Sequence, residues 1–393
     1  MTSALGDVLV LDFSRILAGP LATMVLGDYG ATVIKVERPG RGDDTRSWGP
    51  PHAADGTATY FLSVNRNKRS VCLDLADPGD LATARELAAR ADVVVENFRP
   101  GVIDRLGLGY DELAAANPGL VYCSINAFGA GEGARMPGYD LLLQALGGLM
   151  SITGEPDREP QKVGVALVDV IAGLFATGAI LAALRHRDRT GSGQRIEVDL
   201  LSALLAALAN QSGAYTAAGV VPERMGNAHP SIAPYELFDT GGGELVLAVG
   251  NDRQFADLCR VIGAEGLAAE ARFATNEARV ANRAELRELL TERLRAAPAA
   301  DWLEPLLEAG VPAGEVNDVA GAFALAERLG LDPVAEIPRD GGEPVRLPRN
   351  PVRMDATPPR HETPPPALGE LSPEAALALA AELRAARRPG ADA

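Results

Sequence analysis

The sequence predicts an α/β protein built on a parallel sheet with helices on its faces, followed by a smaller α/β domain. Three observations lead to this fold class. Short apolar runs alternate with helical patterns through the first half of the chain, as they do in βαβ units. The 393 residues exceed what one hydrophobic core usually supports. A stretch rich in glycine and proline after residue 215 separates two such patterns.

The first half of the sequence supplies the elements of the parallel sheet in order. The run VLVLDF (8–13) predicts a buried strand, GPLATMVLGDYG predicts a helix that Pro20 opens, and TVIKVE (32–37) predicts the next strand. The same alternation continues through SVCLDL, PGDLATARELAARA, DVVVEN, YDELAAANPG and LVYCSINAFG. Sheets of this kind bind ligands beyond the carboxyl ends of their strands, so the site is expected there.

The complete chain divides into three predicted segments. A large domain covers residues 1–215 and includes a long apolar helix and the strand in QRIEVD. A smaller α/β domain covers residues 222–320, where ELVLAVGN predicts a strand and several helical patterns follow. Residues 321–393 contain a proline-rich arm, whose prolines exclude a long helix across 348–366, and a closing helix capped by Ser372.

The composition excludes several classes of function. A formal net charge of -16 argues against nonspecific binding to nucleic acid. The three cysteines are far apart and no basic segment precedes an apolar run at the N-terminus, so a cytoplasmic location is expected. The four histidines show no ligand spacing, so no metal site is expected. The spacing in FGAGEGARMPG does not fit a dinucleotide loop.

One carboxylate stands out in the segment KVGVALVDVIAGLFATGAILAALRHR (162–187). Between Val163 and Leu184 every other side chain is apolar, small or hydroxylic, and the exception is Asp169. The segment is long enough to cross a bilayer, but Asp169 and three glycines disfavour that, so a helix buried in the protein is predicted. A carboxylate in such surroundings loses hydration. Asp169 is therefore either a helix N-cap or a chemically active group.

Positive residues cluster near strand ends in the N-terminal half. Two of the three lysines of the chain belong to this cluster. A solvated surface and a phosphate site for an anionic cofactor both fit the pattern. The cluster consists of Lys35, Arg38, Arg66, Lys68 and Arg69.

Six ordered blocks of this sequence resemble the family III CoA transferases. The resemblance runs from about residue 7 to residue 320, and less clearly through the arm to LGE (368–370). The blocks are LDFSRILAGPLATMVLGDYGATVIKVERPGRGDDTR, NRNKRSVCLDL, ADVVVENFRPGVIDRLGLGYDEL, GYDLLLQALGGLMSITGEPD, KVGVALVDVIAGLFATGAILAAL and GNAHPSIAPYELF.

This resemblance implies a chemistry for Asp169. In that family the nucleophile is an aspartate at the start of an apolar helix, and Asp169 has that position in GVALVDVIAGL. The implied activity is that of an acyl-CoA:carboxylate CoA-transferase working through an aspartyl-CoA thioester, because a partly desolvated carboxylate can attack a thioester carbonyl. Coenzyme A is then a substrate and no tightly bound cofactor is expected. The implied donor is a short dicarboxylate thioester such as succinyl-CoA.

The same resemblance implies residues that bind CoA. Arg38 and Arg105 match arginines that contact the nucleotide and its phosphates. Ala18 and Pro20 match the turn that lines the nucleotide. With a polyanionic ligand implied, the basic cluster, including Lys68, is expected to bind phosphate. Arg15 and Leu17 stand where some members of the family have His and Gln, and Arg15 is kept as a candidate CoA contact.

Other residues are implied for the reacting groups. GNAHPSIAPY aligns with the mobile glycine-rich loop of the family, in which Gly226, Asn227 and His229 are candidates to stabilise an oxyanion or the anhydride. His229 also fits a histidine that only forms hydrogen bonds within its loop. Tyr139, Asn210 and Gln211 are candidates for the acceptor pocket. A second carboxylate on the acceptor would need a cation such as Arg135 or an amide such as Gln211.

The family also implies an architecture and two competing functions. A Rossmann-like large domain and a small domain joined by two linkers are expected, with the arm returning to the large domain and two chains interlocked as a homodimer. An α-methylacyl-CoA racemase would use the same scaffold, but its relatives have GHD where this chain has GYD, and Tyr139 is a poor acid or base. A CoA-binding protein without catalysis would gain support from loss of Asp169 or of the glycine-rich loop, and both are present.

Overall fold

The computed structural model describes residues 3–386 and confirms the predicted α/β fold class. The strands are, in chain order, β1 (Leu9–Asp12), β2 (Thr32–Glu37), β3 (Lys68–Cys72), β4 (Val93–Glu96), β5 (Val121–Asn126), β6 (Gln194–Asp199), β7 (Tyr235–Asp239), β8 (Glu244–Ala248), β9 (Ala313–Glu315), β10 (Val334–Ile337) and β11 (Val345–Pro348). The helices of the first half are α1 (Ala18–Asp28), α2 (Thr59–Ser63), α3 (Pro78–Arg90), α4 (Val102–Arg105), α5 (Tyr110–Ala116), α6 (Asp140–Leu146) and α7 (Leu167–Thr190). The remaining helices are α8 (Leu200–Ala207), α9 (Asn210–Ala218), α10 (Asp252–Val261), α11 (Glu265–Ala269), α12 (Asn276–Ala281), α13 (Arg283–Leu294), α14 (Ala299–Glu308), α15 (Val319–Arg328) and α16 (Pro373–Ala386).

The described chain forms two compact units. The first contains residues 3–147, 163–218 and 332–386, and the second contains residues 148–162 and 219–331. The sequence predicts 148–162 as part of the large domain and 321–331 as part of the arm, whereas both segments belong to the second unit. Within the second unit, the Gly226 N–H donates a hydrogen bond of 3.1 Å to the Gly154 carbonyl, which ties the 148–162 segment to the glycine-rich loop.

The first unit is built on a six-stranded parallel sheet in the order β3-β2-β1-β4-β5-β6. β1 and β4 are buried along their whole length, which explains why each begins with three consecutive apolar residues. The chain runs from β1 outward to β3 on one side and then resumes at β4 on the other side of β1. The connections that follow β1 and β4 therefore diverge, and a crevice opens between them at the carboxyl ends of these strands.

Helix α7 packs against α1 in the same unit. At Gly173 a Cβ atom would lie 2.6 Å from the Ala18 carbonyl oxygen, so only glycine permits this close approach. By length and composition alone α7 would be able to cross a membrane, with a mean hydropathy of 2.2 and 44% of the apolar window buried. The predicted helix buried in the protein is found for one face only: Ala172 and Ala176 are buried, whereas Leu174 and Phe175 are 55% and 50% exposed.

The C-terminal segment of the first unit completes its sheet edge. Residues 349–372 contain no helix, and they run past β3, where the Ser70 hydroxyl accepts a hydrogen bond of 3.0 Å from the Gly369 N–H. Val71 of β3 pairs in parallel with Leu371. Helix α16 then packs on α3 and β3, with Ala376 and Ala380 buried. The end of the predicted arm, 387–393, lies outside the described residues.

The second unit has its own core. An antiparallel sheet in the order β7-β8-β9 packs against helices through Phe238, Leu247, Phe255 and Leu290. β7 was missed in the sequence, where it was included in the glycine- and proline-rich stretch. Its residues, YELFD, alternate between exposed and buried over only five positions, which is too short a pattern to distinguish a strand from a loop.

Candidate active site

A cleft of about 500 Å³ opens at the carboxyl ends of β1 and β4, in the crevice predicted by the strand order. Its walls are the turn after β1, the turn after β4, the segment after β5 and the start of α7. Among the residues that line it are Arg15, Ile16, Leu17, Ala18, Arg38, Asn97, Phe98, Arg99, Tyr139 and Asp169. Five of the residues singled out in the sequence therefore meet in one cleft, namely Arg15, Ala18, Arg38, Tyr139 and Asp169.

Asp169 is the third residue of α7 and is half-buried. Within residues 3–386 no donor lies within hydrogen-bonding distance of its carboxylate. Burial, and secondly the negative charge of Asp140, raises the pKa of Asp169 to about 7. The N-cap interpretation is wrong, because Ala166 holds the N-cap position and no side chain of α7 caps the helix. A carboxylate without compensating donors is costly to keep ionised, and such groups are candidates for chemistry.

Asp140 caps α7 from another helix. It is the first residue of α6, and its Oδ1 accepts hydrogen bonds from the Val168 N–H at 2.8 Å and the Asp169 N–H at 3.4 Å. Its Oδ2 accepts a bond of 2.6 Å from Gln144 Nε2. The Gln144 side chain is fully buried, and its Oε1 accepts a bond of 2.8 Å from the Val163 N–H. Asp140 and Gln144 together fix the chain that leads to Asp169.

An apolar cluster lies behind the nucleophile candidate. Leu17 packs there with Met24 and Val64 and is covered by Tyr60 and Val170. Burial, followed by the charges of Asp169 and Asp140, raises the pKa of Tyr60 to about 12. The Tyr60 phenol therefore stays protonated at neutral pH and can only act as a neutral donor or acceptor. Packed apolar side chains therefore exclude water from this side of the N-terminus of α7.

The turn after β1 has a strained backbone that hydrogen bonds from neighbouring segments hold in place. Ile16 has a φ of 74°, which is unfavourable for a β-branched residue. Its N–H donates to the Asp43 carboxylate at 3.2 Å. Asn97 fixes the preceding residue, since its Oδ1 accepts from the Arg15 N–H at 2.9 Å and its Nδ2 donates to the Arg15 carbonyl at 2.7 Å. The cleft wall next to α7 is thus a rigid backbone surface.

A buried ion network supports that turn. Lys35 Nζ lies 2.9 Å from Asp43 Oδ2 and donates to the Ser14 carbonyl at 2.8 Å, while Lys68 Nζ lies 3.1 Å from Asp12 Oδ2. All four charged side chains are fully buried. Burial alone would raise the pKa of Asp12, but Lys68 and Lys35 lower it to about 2. The network keeps Asp12 ionised across the physiological range.

The positive charge of the cleft comes from three arginines. Within the described residues no acidic group lies within ion-pairing distance of Arg38 or Arg99, and both side chains are exposed. Arg15 pairs with Asp44 at 3.1 Å and lies over the Phe98 ring at 5.9 Å. Arg99 was not predicted from the sequence as a residue of the site. The one signal for it was its position between a predicted strand and Pro100. Two arginines without anionic partners on one cleft are suited to a polyanionic ligand.

The structure corrects the predicted phosphate cluster. Lys68, Lys35 and Arg66 are buried, and Arg66 pairs with Asp28 at 2.6 Å, so none of them is available to a ligand. Lys68 Nζ instead donates to the Pro20 carbonyl at 2.9 Å, which places Pro20 on the inner side of α1 rather than on the cleft. Of the cluster, only Arg38 lines the cleft.

Two further predicted contacts lie outside the cleft lining. Arg105 is the last residue of α4 and is exposed. Of the residues of α4, Val102 lines the cleft and Arg105 does not. Arg135 is also exposed, although its neighbours Ala134 and Met136 line the cleft. Their roles in binding CoA and the acceptor remain predictions from the resemblance.

Gly226, Asn227 and His229 belong to the second unit. Gly226 has a φ of 59°, a conformation that favours glycine. His229 Nδ1 accepts a bond of 3.1 Å from the Ser231 N–H, so the neutral ring carries its proton on Nε2. The later part of the loop is anchored, since Arg279 Nε donates to the Ala233 carbonyl at 2.7 Å. The catalytic roles of these three residues stay predictions.

The chain is similar to known proteins along most of its length. The family model described as CoA-transferase family III matches residues 5–372. The succinate–glutarate CoA-transferase of Agrobacterium fabrum is 46% identical over 326 residues, 81% of this chain and 82% of that protein. The acetyl-CoA:oxalate CoA-transferase of Acetobacter aceti is 45% identical over 322 residues, again 81% and 82%. A crystal structure of a CAIB/BAIF family protein from Brucella suis matches with 44% identity and a TM-score of 0.84, covering 98% of this chain and 100% of that one.

Proposed function

Because the chain belongs to CoA-transferase family III, we propose that it transfers CoA from succinyl-CoA to a short dicarboxylic acid through a covalent intermediate on Asp169. The transfer of CoA between carboxylic acids follows from the family. The donor, the acceptor class and the nucleophile are the proposal. The observation that carries it is the carboxylate of Asp169, which has no hydrogen-bond donor within residues 3–386 and lies in a cleft with Arg38 and Arg99.

The proposed reaction is a balanced series of acyl exchanges. An oxygen of Asp169 attacks the thioester carbonyl of succinyl-CoA, and the C–S bond breaks to give a mixed anhydride and CoA thiolate. The thiolate attacks the Asp169 carbonyl, which releases succinate and leaves an aspartyl-CoA thioester. The acceptor carboxylate then repeats these steps in reverse, regenerating the Asp169 carboxylate. No net proton or electron is transferred, so the proposal needs no metal or other cofactor.

Each part of the site has a role in this scheme. The half-buried position of Asp169 removes water that would hydrolyse the anhydride and the thioester. The neutral Tyr60 phenol adds no charge beside the reacting carboxylate. Arg38 and Arg99 would hold CoA phosphates, and Tyr139, which is 64% exposed at the cleft, would border the acceptor. Gly226, Asn227 and His229 are proposed to supply donors to the developing oxyanion.

We expect succinyl-CoA to convert the enzyme to a CoA thioester on the peptide that contains Asp169. The rate should rise with pH and reach half its maximum near pH 7, because only the ionised carboxylate attacks and the pKa of Asp169 is about 7. Intact-protein and peptide mass spectrometry at a series of pH values measures the adduct, and hydroxylamine traps it as an aspartyl hydroxamate. A modification elsewhere, or none with any acyl-CoA, would contradict the proposal.

The same assay distinguishes the substrate choices. The relative from Acetobacter aceti is named for acetyl-CoA and oxalate, and its sequence identity to this chain is nearly that of the succinate–glutarate enzyme. Both substrate pairs are therefore compared. Faster adduct formation with acetyl-CoA than with succinyl-CoA would overturn the proposed donor. Transfer of CoA to a monocarboxylate such as formate, but to neither glutarate nor oxalate, would overturn the acceptor class. Exchange of an α-proton into deuterated water without any adduct would indicate the racemase instead.

Arg38→Ala and Arg99→Ala should each weaken CoA binding about tenfold or more, because each removes a charged contact to phosphate. Isothermal titration calorimetry with CoA measures the affinity. Arg189→Ala is the matched control and should leave the affinity unchanged, since Arg189 is an exposed arginine in the last turn of α7 and outside the cleft lining. Unchanged affinity in Arg38→Ala and Arg99→Ala would remove both from the CoA site, whereas an equal loss in Arg105→Ala would support the contact implied by the family resemblance.

We also propose that the enzyme is a cytoplasmic homodimer. Helices α6, α7 and α8 pack together and expose a set of large apolar side chains. These side chains are Leu141, Leu142, Leu146, Leu174, Phe175 and Leu205. An exposed apolar surface of this kind is typical of a protein interface. Three free cysteines, two of them buried, fit a reducing compartment.

A further inference from the structure

We propose that Asp140 is a positioning residue that occupies the N-terminal N–H groups of α7 and so withholds them from the Asp169 carboxylate. The inference rests on the proposed role of Asp169 as nucleophile. A carboxylate in the first turn of a helix is normally stabilised by the free N–H groups and the positive end of the helix dipole. Such stabilisation would make Asp169 a weaker nucleophile. A carboxylate that lacks this stabilisation attacks a thioester more readily.

The hydrogen bonds at the start of α7 leave none for Asp169. The Leu167 N–H donates to the Val165 carbonyl at 2.8 Å, and the Val170 N–H donates to the Ala166 carbonyl at 3.2 Å. The two N–H groups between them, of Val168 and Asp169, donate to Asp140 Oδ1. All four N–H groups of this turn therefore have acceptors other than the Asp169 carboxylate.

Gln144 keeps Asp140 in this position. The two residues are one turn apart on α6, and Gln144 Nε2 donates to Asp140 Oδ2 at 2.6 Å. The same amide donates to the Val165 carbonyl at 3.2 Å and accepts from the Val163 N–H. Because the Gln144 side chain is fully buried and satisfied at both ends, it has one stable orientation. Asp140 cannot turn away from α7 without breaking this set of bonds.

Asp140 also acts on Asp169 by its charge. When two carboxyl groups lie near each other, the charge of one disfavours ionisation of the other. Acylation converts Asp169 into a neutral group. The repulsion therefore exists in the resting enzyme and disappears in the covalent intermediate. Other titratable groups near Asp169 are Tyr60 of α2, which stays neutral, and Tyr139, Arg15, Arg38 and Arg99 of the cleft. Asp140 is the only acidic group in this set, and its charge is the one that raises the pKa of Asp169.

Asp140→Asn should shift the pH at which adduct formation is half-maximal downward by about half a unit to one unit, because it removes the negative charge. Its Oδ1 still accepts from the two N–H groups, so its maximal rate of adduct formation at high pH should stay within about threefold of the wild type. In Asp140→Ala, which has no acceptor, the maximal rate should fall at least about tenfold, since the freed N–H groups then stabilise the Asp169 carboxylate. KM for succinyl-CoA should stay within about twofold. Asp140→Ser should shift the pH profile of adduct formation in the same direction, and its hydroxyl still accepts a bond at a helix start. It is the variant to measure if Asp140→Asn does not fold.

Asp188→Asn is the matched control, because it removes an equal charge from the far end of α7, about 28 Å away. Its pH profile should equal that of the wild type. An adduct in the wild type with an undiminished maximal rate in Asp140→Ala, or with an unshifted profile in Asp140→Asn or Asp140→Ser, overturns the inference and leaves the proposed function standing. Absence of an adduct in the wild type at every pH overturns the proposed function itself.

Discussion

Asp169→Asn should fold like the wild type and lose CoA transfer by about four orders of magnitude or more, as expected for loss of a covalent nucleophile. The amide has the same shape as the carboxylate but cannot form an anhydride with the acyl donor. Transfer from succinyl-CoA to glutarate, followed by chromatography of the thioesters, measures the loss. Residual activity above about a tenth of the wild type would exclude Asp169 as the nucleophile.

The same variant should be more stable than the wild type at neutral and alkaline pH. The folded protein raises the pKa of Asp169 from 3.8 to about 7, so the folded state binds more protons than the unfolded state between these values and its stability falls as pH rises. Asparagine does not titrate, and we expect its advantage to grow from pH 4 to pH 7 and reach about 2 kcal/mol. This is about half of the roughly 4 kcal/mol that the full pKa difference represents, because solvent screens a partly exposed carboxylate. Urea unfolding at pH 4.5 and pH 8 measures it, and sedimentation tests that both proteins have the same oligomeric state.

Lys68→Ala should lower the free energy of unfolding by about 3 to 5 kcal/mol, because it breaks a fully buried ion pair. The substitution leaves the Asp12 carboxylate buried with one cation fewer. It also removes the donor to the Pro20 carbonyl and to Asn65 Oδ1. The loss reflects uncompensated buried polar groups and not a missing ligand contact.

Urea unfolding of Lys68→Ala, with Arg69→Ala as its neighbour on the same strand, tests this assignment. The Arg69 side chain is 45% exposed and pairs with Glu370, so its removal should cost less than about 1 kcal/mol. The folded fraction of Lys68→Ala should bind CoA with unchanged affinity. Wild-type stability combined with a tenfold loss of CoA affinity would return Lys68 to the phosphate site.

The sheet was predictable from the sequence because both faces of a parallel sheet are covered. β1 and β4 each begin with three consecutive apolar residues, and the bounds of β2 were predicted without error over 32–37. Asp169 was identifiable for a related reason, since a single carboxylate in a long apolar segment requires an explanation. Local pattern was sufficient wherever burial determined the residue types.

Local pattern failed where the partner was distant in sequence. Lys68 is indistinguishable from a surface lysine until Asp12, 56 residues away, is placed beside it. Asp140 gives no signal of its role, because the N–H groups that it caps follow 28 and 29 residues later. The sequence does contain an aspartate and a glutamine one turn apart in YDLLLQ, but this spacing has many meanings on a helix.

The edge of the sheet at β3 has a consequence for synthesis of the protein. Ser70 and Gly369, which meet there, are separated by 299 residues. A ribosome makes chain at about 5 to 20 residues per second, so β3 emerges well before the segment that covers it. During that interval the nascent sheet presents an unpaired edge, the kind of surface on which strands of other chains add. Truncations that end before the arm should therefore aggregate during expression even though they contain every strand of the parallel sheet.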